Sequence, residues 1–287
     1  MNLIYYKAEK GNFGDDLNPF LWDKLIPDFL NKNNDVNFIG IGSILIDRFL
    51  DENKKNLIFG SGTRDFLYKP DSKYNLDVRF VRGPLSAKVL GNNSKFITDS
   101  AYCLALENQI MTSLKNMKKE YEVSFMPYFR HMNLVNWSLI EKVTGIHIIY
   151  PVGDVNFILE EIAKSKKIIA SAMHGAIIAD VLRVPWRRVF MGEVYGESLL
   201  TSEFKWTDWL LSIGVTQINK ITIPIYSSYS SNLAVKKTQQ ICNTLKIIKY
   251  FKSNSKHGFS MSNDLIYDNI LDQLNEQIHL INNRDLI

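Results

Sequence analysis

The hydrophobic positions of this chain fall into two alternating rhythms. Short apolar runs of strand length alternate with segments whose apolar residues recur at the three- and four-residue spacing of a helix. In the first hundred residues the runs lie at 3–6, 36–39, 56–59, 78–81 and 96–99. Between them a helix is predicted from about residue 16, with Leu17, Phe20, Leu21 and Leu25 on one face and Pro19 in its first turn, where a missing N–H costs little. A second helix is predicted through Ile44, Leu45, Phe49 and Leu50, and a third through Leu85, Val89 and Leu90, opened by Gly83-Pro84. Residues 108–120 form a polar helical crossing, rich in Lys and Asn, where the pattern pauses.

The alternation then restarts. Strands are predicted at 122–126, 146–150, 168–170 and 186–191, and helices at 134–143, 155–163, 177–182 and 203–211. A Ser/Tyr-rich linker at 225–232 leads to two final helices at 233–252 and 264–282, the second with Asn263 as its cap. Strand–helix alternation of this kind makes parallel sheets. The expectation is an α/β protein of two Rossmann-like domains facing a cleft, at 1–110 and 118–225, with a linker and C-terminal helical return at 226–287.

One stretch anchors this reading. Ile168-Ile-Ala170 is a short buried strand; small residues turn the chain at Ser171 and Ala172, and helical spacing resumes after His174-Gly175. That places His174 at the carboxyl edge of a parallel sheet and at a helix N-terminus, where main-chain N–H groups favour anions.

Composition adds limits. The 287 residues, 46% hydrophobic and 22% charged, suit one large or two modest soluble α/β domains. A net charge of +4 comes with no nucleic-acid motif and no long basic block, which points away from nucleic acid. Cys103 and Cys242 stand far apart in sequence and read as free thiols. The N-terminus reaches charge too early for a signal peptide, and no apolar run is long enough to span a bilayer. The expected setting is the cytoplasm, with the inner membrane surface as an alternative.

Candidate chemistry gathers at the predicted strand ends. In the first half stand Asn12, Asp15 and Asp16; Gly40-Ile-Gly-Ser43; Ser61, Thr63 and Arg64; and Arg82. In the second half stand Tyr128-Phe-Arg-His131, Ser171, His174 and Gly175, and the stretch from Arg183 to Arg188. Glycine turns can cradle a phosphate, although neither completes a dinucleotide or P-loop motif. Arg64, Arg82 and Arg130 suit bidentate binding of carboxylate or phosphate, so a polyanionic small molecule is the expected ligand. An aspartate of the 15–16 pair can orient sugar hydroxyls or take a proton, or else cap the first helix. No His/Cys/Asp spacing suggests a metal.

Taken in order, Gly11-Asn-Phe-Gly-Asp-Asp16, Gly40-Ile-Gly-Ser43, Phe59-Gly-Ser-Gly-Thr63, Val81-Arg-Gly-Pro-Leu-Ser86, Thr98-Asp-Ser-Ala101 and Ala170-Ser-Ala-Met-His-Gly175 resemble the polysaccharide pyruvyl transferases of bacterial envelope and exopolysaccharide synthesis. Ala172–Ile177 and Leu182–Trp186 are most similar to the succinoglycan-type ketalases. The resemblance covers about residues 1–190 and implies a GT-B-like fold, phosphoenolpyruvate as donor, no cofactor, and a pyruvate ketal bridging two hydroxyls of a lipid-linked or nucleotide-linked sugar. In many members an arginine stands two residues before the histidine. Here that position is Ala172, so another cation must hold the donor carboxylate.

The expected assignments follow. His174 and Asp15 are catalytic. Arg82, Arg130, Ser171, Gly175 and Arg183 bind the donor; Asn12, Asp16, Ser61, Thr63 and Arg64 bind the acceptor. The alternatives are a GT-B nucleotide-sugar glycosyltransferase and a non-catalytic family member; the absent arginine is the best support for the latter. The helix at 233–252 carries Lys236, Lys237, Lys246, Lys249 and Lys252 beside Leu233, Ile241, Leu245, Ile248 and Phe251. A packed helix with a solvated lysine face is its plainer reading, and an anionic-lipid surface the sharper one.

Overall fold

The computed structural model describes residues 1–27, 30, 35–91, 94–194, 196–217, 220–226, 232–254 and 257–283. In chain order its first elements are β1 (Asn2–Ile4), α1 (Phe13–Leu25), β2 (Val36–Ile39), β3 (Lys55–Phe59), β4 (Asn75–Phe80), α2 (Pro84–Leu90) and α3 (Asn108–Lys115). There follow β5 (Ser124–Met126), α4 (Trp137–Thr144), β6 (His147–Ile148), α5 (Val155–Ala163), β7 (Ile168–Ala170), α6 (Met173–Val181), β8 (Trp186–Phe190), α7 (Leu199–Ser212), β9 (Ile221–Thr222), α8 (Leu233–Asn254) and α9 (Asp264–Asn282). They divide into two compact units. The first takes in Met1–Ser113, Leu200–Thr216 and Ser262–Ile287; the second, Leu114–Leu199 and Gln217–Met261.

In the first unit the strands lie in sequence order, β1-β2-β3-β4, all parallel. Side chains alternate between the two faces; the inner strands β2 and β3 are buried on both faces, whereas β4, Asn-Leu-Asp-Val-Arg-Phe, alternates polar and apolar residues at the sheet edge and stays mostly half-buried. On one face the indole of Trp22, from α1, meets Phe38 edge-on at 4.9 Å and Phe59 at 5.6 Å. Gly40 allows that approach, because a Cβ there would lie 2.6 Å from the indole nitrogen. On the other face Ile39, Ile58 and Val81 pack with Ile44, Leu45, Leu50 and with Ala87 of α2.

Two expectations fail here for local reasons. The helix expected at 44–50 is a single 3-10 turn at Asp47–Phe49. Ile44, Leu45 and Leu50 all cover the sheet, whereas a regular helix would spread them around its circumference. The strand expected at 96–99 is one parallel bridge, Phe96 to Val81, followed by a 3-10 segment, Ser100–Leu106, that Asp99 caps through the Ala101 N–H at 3.0 Å.

The helix expected at 203–211 begins at Leu199 and belongs with the first unit, as does α9. Tyr267 of α9 lies 6.2 Å, centroid to centroid, from Tyr102, and Asn282 donates to the Leu25 carbonyl at 3.1 Å.

In the second unit the order is β6-β5-β7-β8-β9, again all parallel. Phe125, Ile148, Ile169 and Val189 face Trp137 and Ile140 of α4 and Ile247 and Phe251 of α8. Across the sheet α6 packs on β7, and Gly175 of α6 rests on Met126, where a Cβ would come within 2.6 Å of the sulfur. The helix expected at 134–143 starts later, because Asn136 accepts the Leu139 N–H and sets its N-terminus. Strand β9 carries no clear sequence signal. Residues 227–231 of the expected linker lie outside the described residues. No described helix is long and apolar enough to cross a membrane.

Candidate functional site

Strand order places a crevice in the second unit. The chain goes from β5 to β6 on one side, then returns past β5 to β7 on the other. The connection after β5 leads to α4 on one face, and the connection after β7 leads to α6 on the opposite face. The carboxyl ends of β5 and β7 therefore part at a topological switch point, where open α/β sheets take their ligands.

The residues at that point are Tyr128–His131 after β5 and Ser171–Gly175 after β7. They are tied together: the Tyr128 N–H donates to Ser171 Oγ at 2.7 Å, and the Ser171 N–H donates to the Met126 carbonyl at 3.0 Å. His174 lies half-buried in the first turn of α6, whose N-cap, Ala172, offers no side-chain acceptor.

Beyond β8, Glu197 reaches the same group. The Tyr128 hydroxyl donates to its carboxylate at 3.1 Å. Arg130 stacks its guanidinium over Phe129 at 5.0 Å and runs beside Gly196, where a Cβ would lie 3.7 Å from it. Burial first, and then the Glu197 charge, push the Tyr128 phenol well above its ordinary range, with Arg130 opposing. The phenol is therefore a proton donor throughout the neutral range. His131 is buried, and burial lowers its pKa to about 4 against the pull of Glu197. It is a neutral imidazole at pH 7.

Two second-unit expectations separate. Ser171, His174, Gly175 and Arg130 come from the two strand ends that border the crevice. Arg183 does not: it follows the C-terminal end of α6, pairs with Asp180 at 3.7 Å and adopts a positive φ of 55°. Nine helical residues, about 13 Å of rise, separate the two ends of α6, so Arg183 lies toward the opposite edge of the sheet from His174. Arg187 and Arg188 are inside β8 rather than at its carboxyl end.

The first unit makes a different opening. The connection after β1 is α1, on the Trp22 face, and the connection after β2 covers the other face. Asn12 and Asp15 on one side and Gly42 on the other border the gap. Asp15 accepts from the Asn12 side chain at 2.5 Å, and its second oxygen would lie 3.8 Å from a Cβ at Gly42. Asp16 accepts the Asn12 main-chain N–H at 2.8 Å, so it caps the start of α1.

The other first-unit candidates point inward. Ser61 and Thr63 are fully buried; Ser61 donates to the Gly42 carbonyl and the Thr63 N–H to Ser86 Oγ. Arg82 is also fully buried. It pairs through Nε with Asp208 at 3.0 Å and donates to Ser43 Oγ at 2.5 Å and to the Thr63 carbonyl at 3.1 Å. The same Asp208 accepts the Leu85 and Ser86 N–H groups, capping α2 in place of Gly83, which has no side chain to do so. Glycines make room: a Cβ at Gly62 would lie 2.3 Å from the Arg82 guanidinium, and one at Gly83 would lie 2.0 Å from the Asp208 carbonyl. Arg82 in this structure is thus a structural brace and not an available anion ligand. Arg64 stays half-buried at the turn after β3. A cavity of about 670 Å³ opens at the other end of this sheet, among Asn2, Asn37, Arg48, Lys54 and Tyr74, and none of the candidates lines it.

Sequence reasoning did not single out Glu197, Tyr128, His131 or Asp208 individually. Tyr128 and His131 carried the signal of a polar run ending a strand. Asp208 showed as an acid set between Trp206 and Trp209 in a helix. Glu197 has no local signal, since its partner lies 69 residues away.

The chain is 12% identical to the UDP-GlcNAc 2-epimerase of Methanocaldococcus jannaschii, with a TM-score of 0.42 over 93% of this chain and 82% of that one. It is 12% identical to the wall teichoic acid polymerase TagF, with a TM-score of 0.40 over 96% of this chain and 89% of that one. In sequence it is 35% identical over 221 residues to the succinoglycan biosynthesis protein ExoV of Rhizobium meliloti (strain 1021), an alignment that covers 75% of this chain and 66% of that protein. Residues 5–189, which carry α1 through most of β8 and both strand-end openings, match the model of the polysaccharide pyruvyl transferase family, and the chain belongs to that family.

Proposed function

We propose that the chain transfers pyruvate from phosphoenolpyruvate to a sugar of a bacterial surface polysaccharide or its precursor, forming a ketal. The observation that carries this reading is the crevice between β5 and β7, where Arg130, His174 and the N-terminal turn of α6 border a switch point in a member of this family. Phosphoenolpyruvate bears a phosphate and a carboxylate, and such a pocket meets both with cationic and N–H donors. Arg130 is the cation we assign in place of the arginine absent at position 172.

The chemistry balances on these groups. A proton is added to the methylene carbon of phosphoenolpyruvate, which leaves an electron-poor C2. One acceptor hydroxyl attacks C2 and gives up its proton, the C2–O bond to phosphate breaks, and phosphate departs with the bonding pair. A second hydroxyl closes the ketal and releases its own proton. His174 is assigned to the donor, as proton source or phosphate partner. Asp15, at the hydroxyl-suited opening of the first unit, is assigned to the acceptor as base or orienting carboxylate.

The test is phosphate release from phosphoenolpyruvate over a panel of lipid-linked and nucleotide-linked sugars. His174→Ala should lower kcat by about two to four orders of magnitude, with the melting temperature unchanged. Wild-type turnover in that variant, or ligand-induced stabilisation by nucleotide sugars and none by phosphoenolpyruvate, would overturn the reading.

A further inference from the structure

Helix α8 shows an outer face that nothing among the described residues of its own unit covers. Its inner face is settled: Asn243, Thr244, Ile247 and Phe251 are buried, Asn243 donates to the Leu134 carbonyl, and the Asn136 N–H donates to Thr244 at 3.0 Å. Leu233, Lys237, Ile241, Leu245, Lys249 and Lys252 follow one another at four- and three-residue steps, so they form one stripe, which starts on the side of Phe251 and winds to the side away from it by Leu245 and Lys249. All six are exposed. Ile241 shows 53% of its surface and Leu245 58%. The helix also carries Lys236 and Lys246 and has no Asp or Glu. The adjoining helix α4 also exposes Leu139 and Val143.

We propose that this stripe docks the protein on an anionic lipid bilayer. The pattern is that of an interfacial helix, in which aliphatic side chains enter the headgroup–acyl boundary while flanking lysines meet anionic headgroups. Two features favour a bilayer over an acidic protein. The stripe is the outward face of a helix and so convex, which a planar fluid surface can meet without a recess to fill. Its charge is of one sign, so it offers no paired pattern by which a shaped partner would fix register. The inference does not depend on the proposed chemistry, although a lipid-linked acceptor would benefit from it.

The experiment is co-sedimentation of the full chain with vesicles of phosphatidylcholine alone and of phosphatidylcholine and phosphatidylglycerol in equal parts. The stripe predicts binding to the mixed vesicles only, and release as salt approaches about 1 M, where the Debye length is about 3 Å. The double variant Lys249→Gln/Lys252→Gln should weaken binding roughly twentyfold. Leu245→Asp should abolish it. The same charge change elsewhere, Lys88→Gln/Lys95→Gln, should leave it within about twofold of wild type. All of these positions are exposed, and the far-UV spectrum and melting temperature check that each variant folds. Failure of the wild type to bind the mixed vesicles would overturn the proposal, as would equal weakening by both double variants. Retention on immobilised polyglutamate through the same lysines, without vesicle binding, would assign the stripe to an acidic protein instead.

Discussion

The two units are built from the same parts and use them differently. Each is a parallel sheet with glycine turns, a serine or threonine and an arginine near its strand ends. In the first unit the arginine is turned inward. Arg82 lies under Gly62, neutralised by Asp208, with Ser43 and the Thr63 carbonyl accepting two further hydrogen bonds. The charges left at that edge are acidic, Asp15 and Asp16, with Arg64 at the neighbouring turn. In the second unit Arg130 stands at the strand end beside a phenol, a histidine and an uncapped helix N-terminus. The proposed function assigns hydroxyl groups to one opening and an anion to the other. The same residue type is therefore placed in two ways: Arg82 is held by a fully buried carboxylate, and Arg130 stacks on an aromatic ring at a strand end.

The harshest test of that contrast is to break the brace. Arg82→Ala or Asp208→Ala leaves an unpaired charge in a fully buried position, and should cost about 3–5 kcal/mol in a urea melt. A change below about 1 kcal/mol would mean that Arg82 is not structural. The acid limb of the stability curve gives the next effect. His131 has a pKa of about 4 in the folded chain against 6.5 when free. The unfolded chain then binds the extra proton between these values, so stability falls as pH drops from about 6.5 to about 4, by about 3 kcal/mol in all. His131→Gln should flatten that stretch of the curve. A slope that persists unchanged would assign it to other groups.

Smaller effects separate neighbours. Tyr128→Phe removes the hydrogen bond to Glu197 and should cost about 1 kcal/mol of stability, while phosphoenolpyruvate affinity falls because Arg130 loses its neighbour. Asp16→Ala removes a helix-start cap, so a loss of about 1 kcal/mol with unchanged kcat is expected. Asp15→Asn should do the reverse, lowering kcat with little change in melting temperature. Parallel behaviour of the two aspartates would erase the distinction between cap and candidate base.

Much of this was legible in the sequence. Apolar runs and helical spacing located the principal strands of both sheets, and Ile168-Ile-Ala170 followed by His174-Gly175 marked the strand–helix junction that borders the crevice. What stayed hidden was long-range. Gly60-Ser-Gly-Thr63 and Arg82-Gly-Pro have the composition of an anion cradle, and only Asp208, 126 residues away from Arg82, turns them into a brace. Arg183 reads as a strand-end cation because it precedes an apolar run, yet a helix intervenes between it and the carboxyl edge. Residues 44–50 are apolar enough to be taken for a helix, but a helix would spread Ile44, Leu45 and Leu50 around its axis, and in the fold all three cover the sheet around a single 3-10 turn.

Phosphoenolpyruvate binding, measured by calorimetry in wild type, Arg130→Ala and Arg82→Lys, tests the central contrast most directly. The account predicts that Arg130→Ala weakens binding by about ten- to a hundredfold, the worth of a charged hydrogen bond, at an unchanged melting temperature. Arg82→Lys should lower the melting temperature and leave affinity intact below it. Loss of binding in Arg82→Lys with none in Arg130→Ala would contradict the account and return the donor to the first unit.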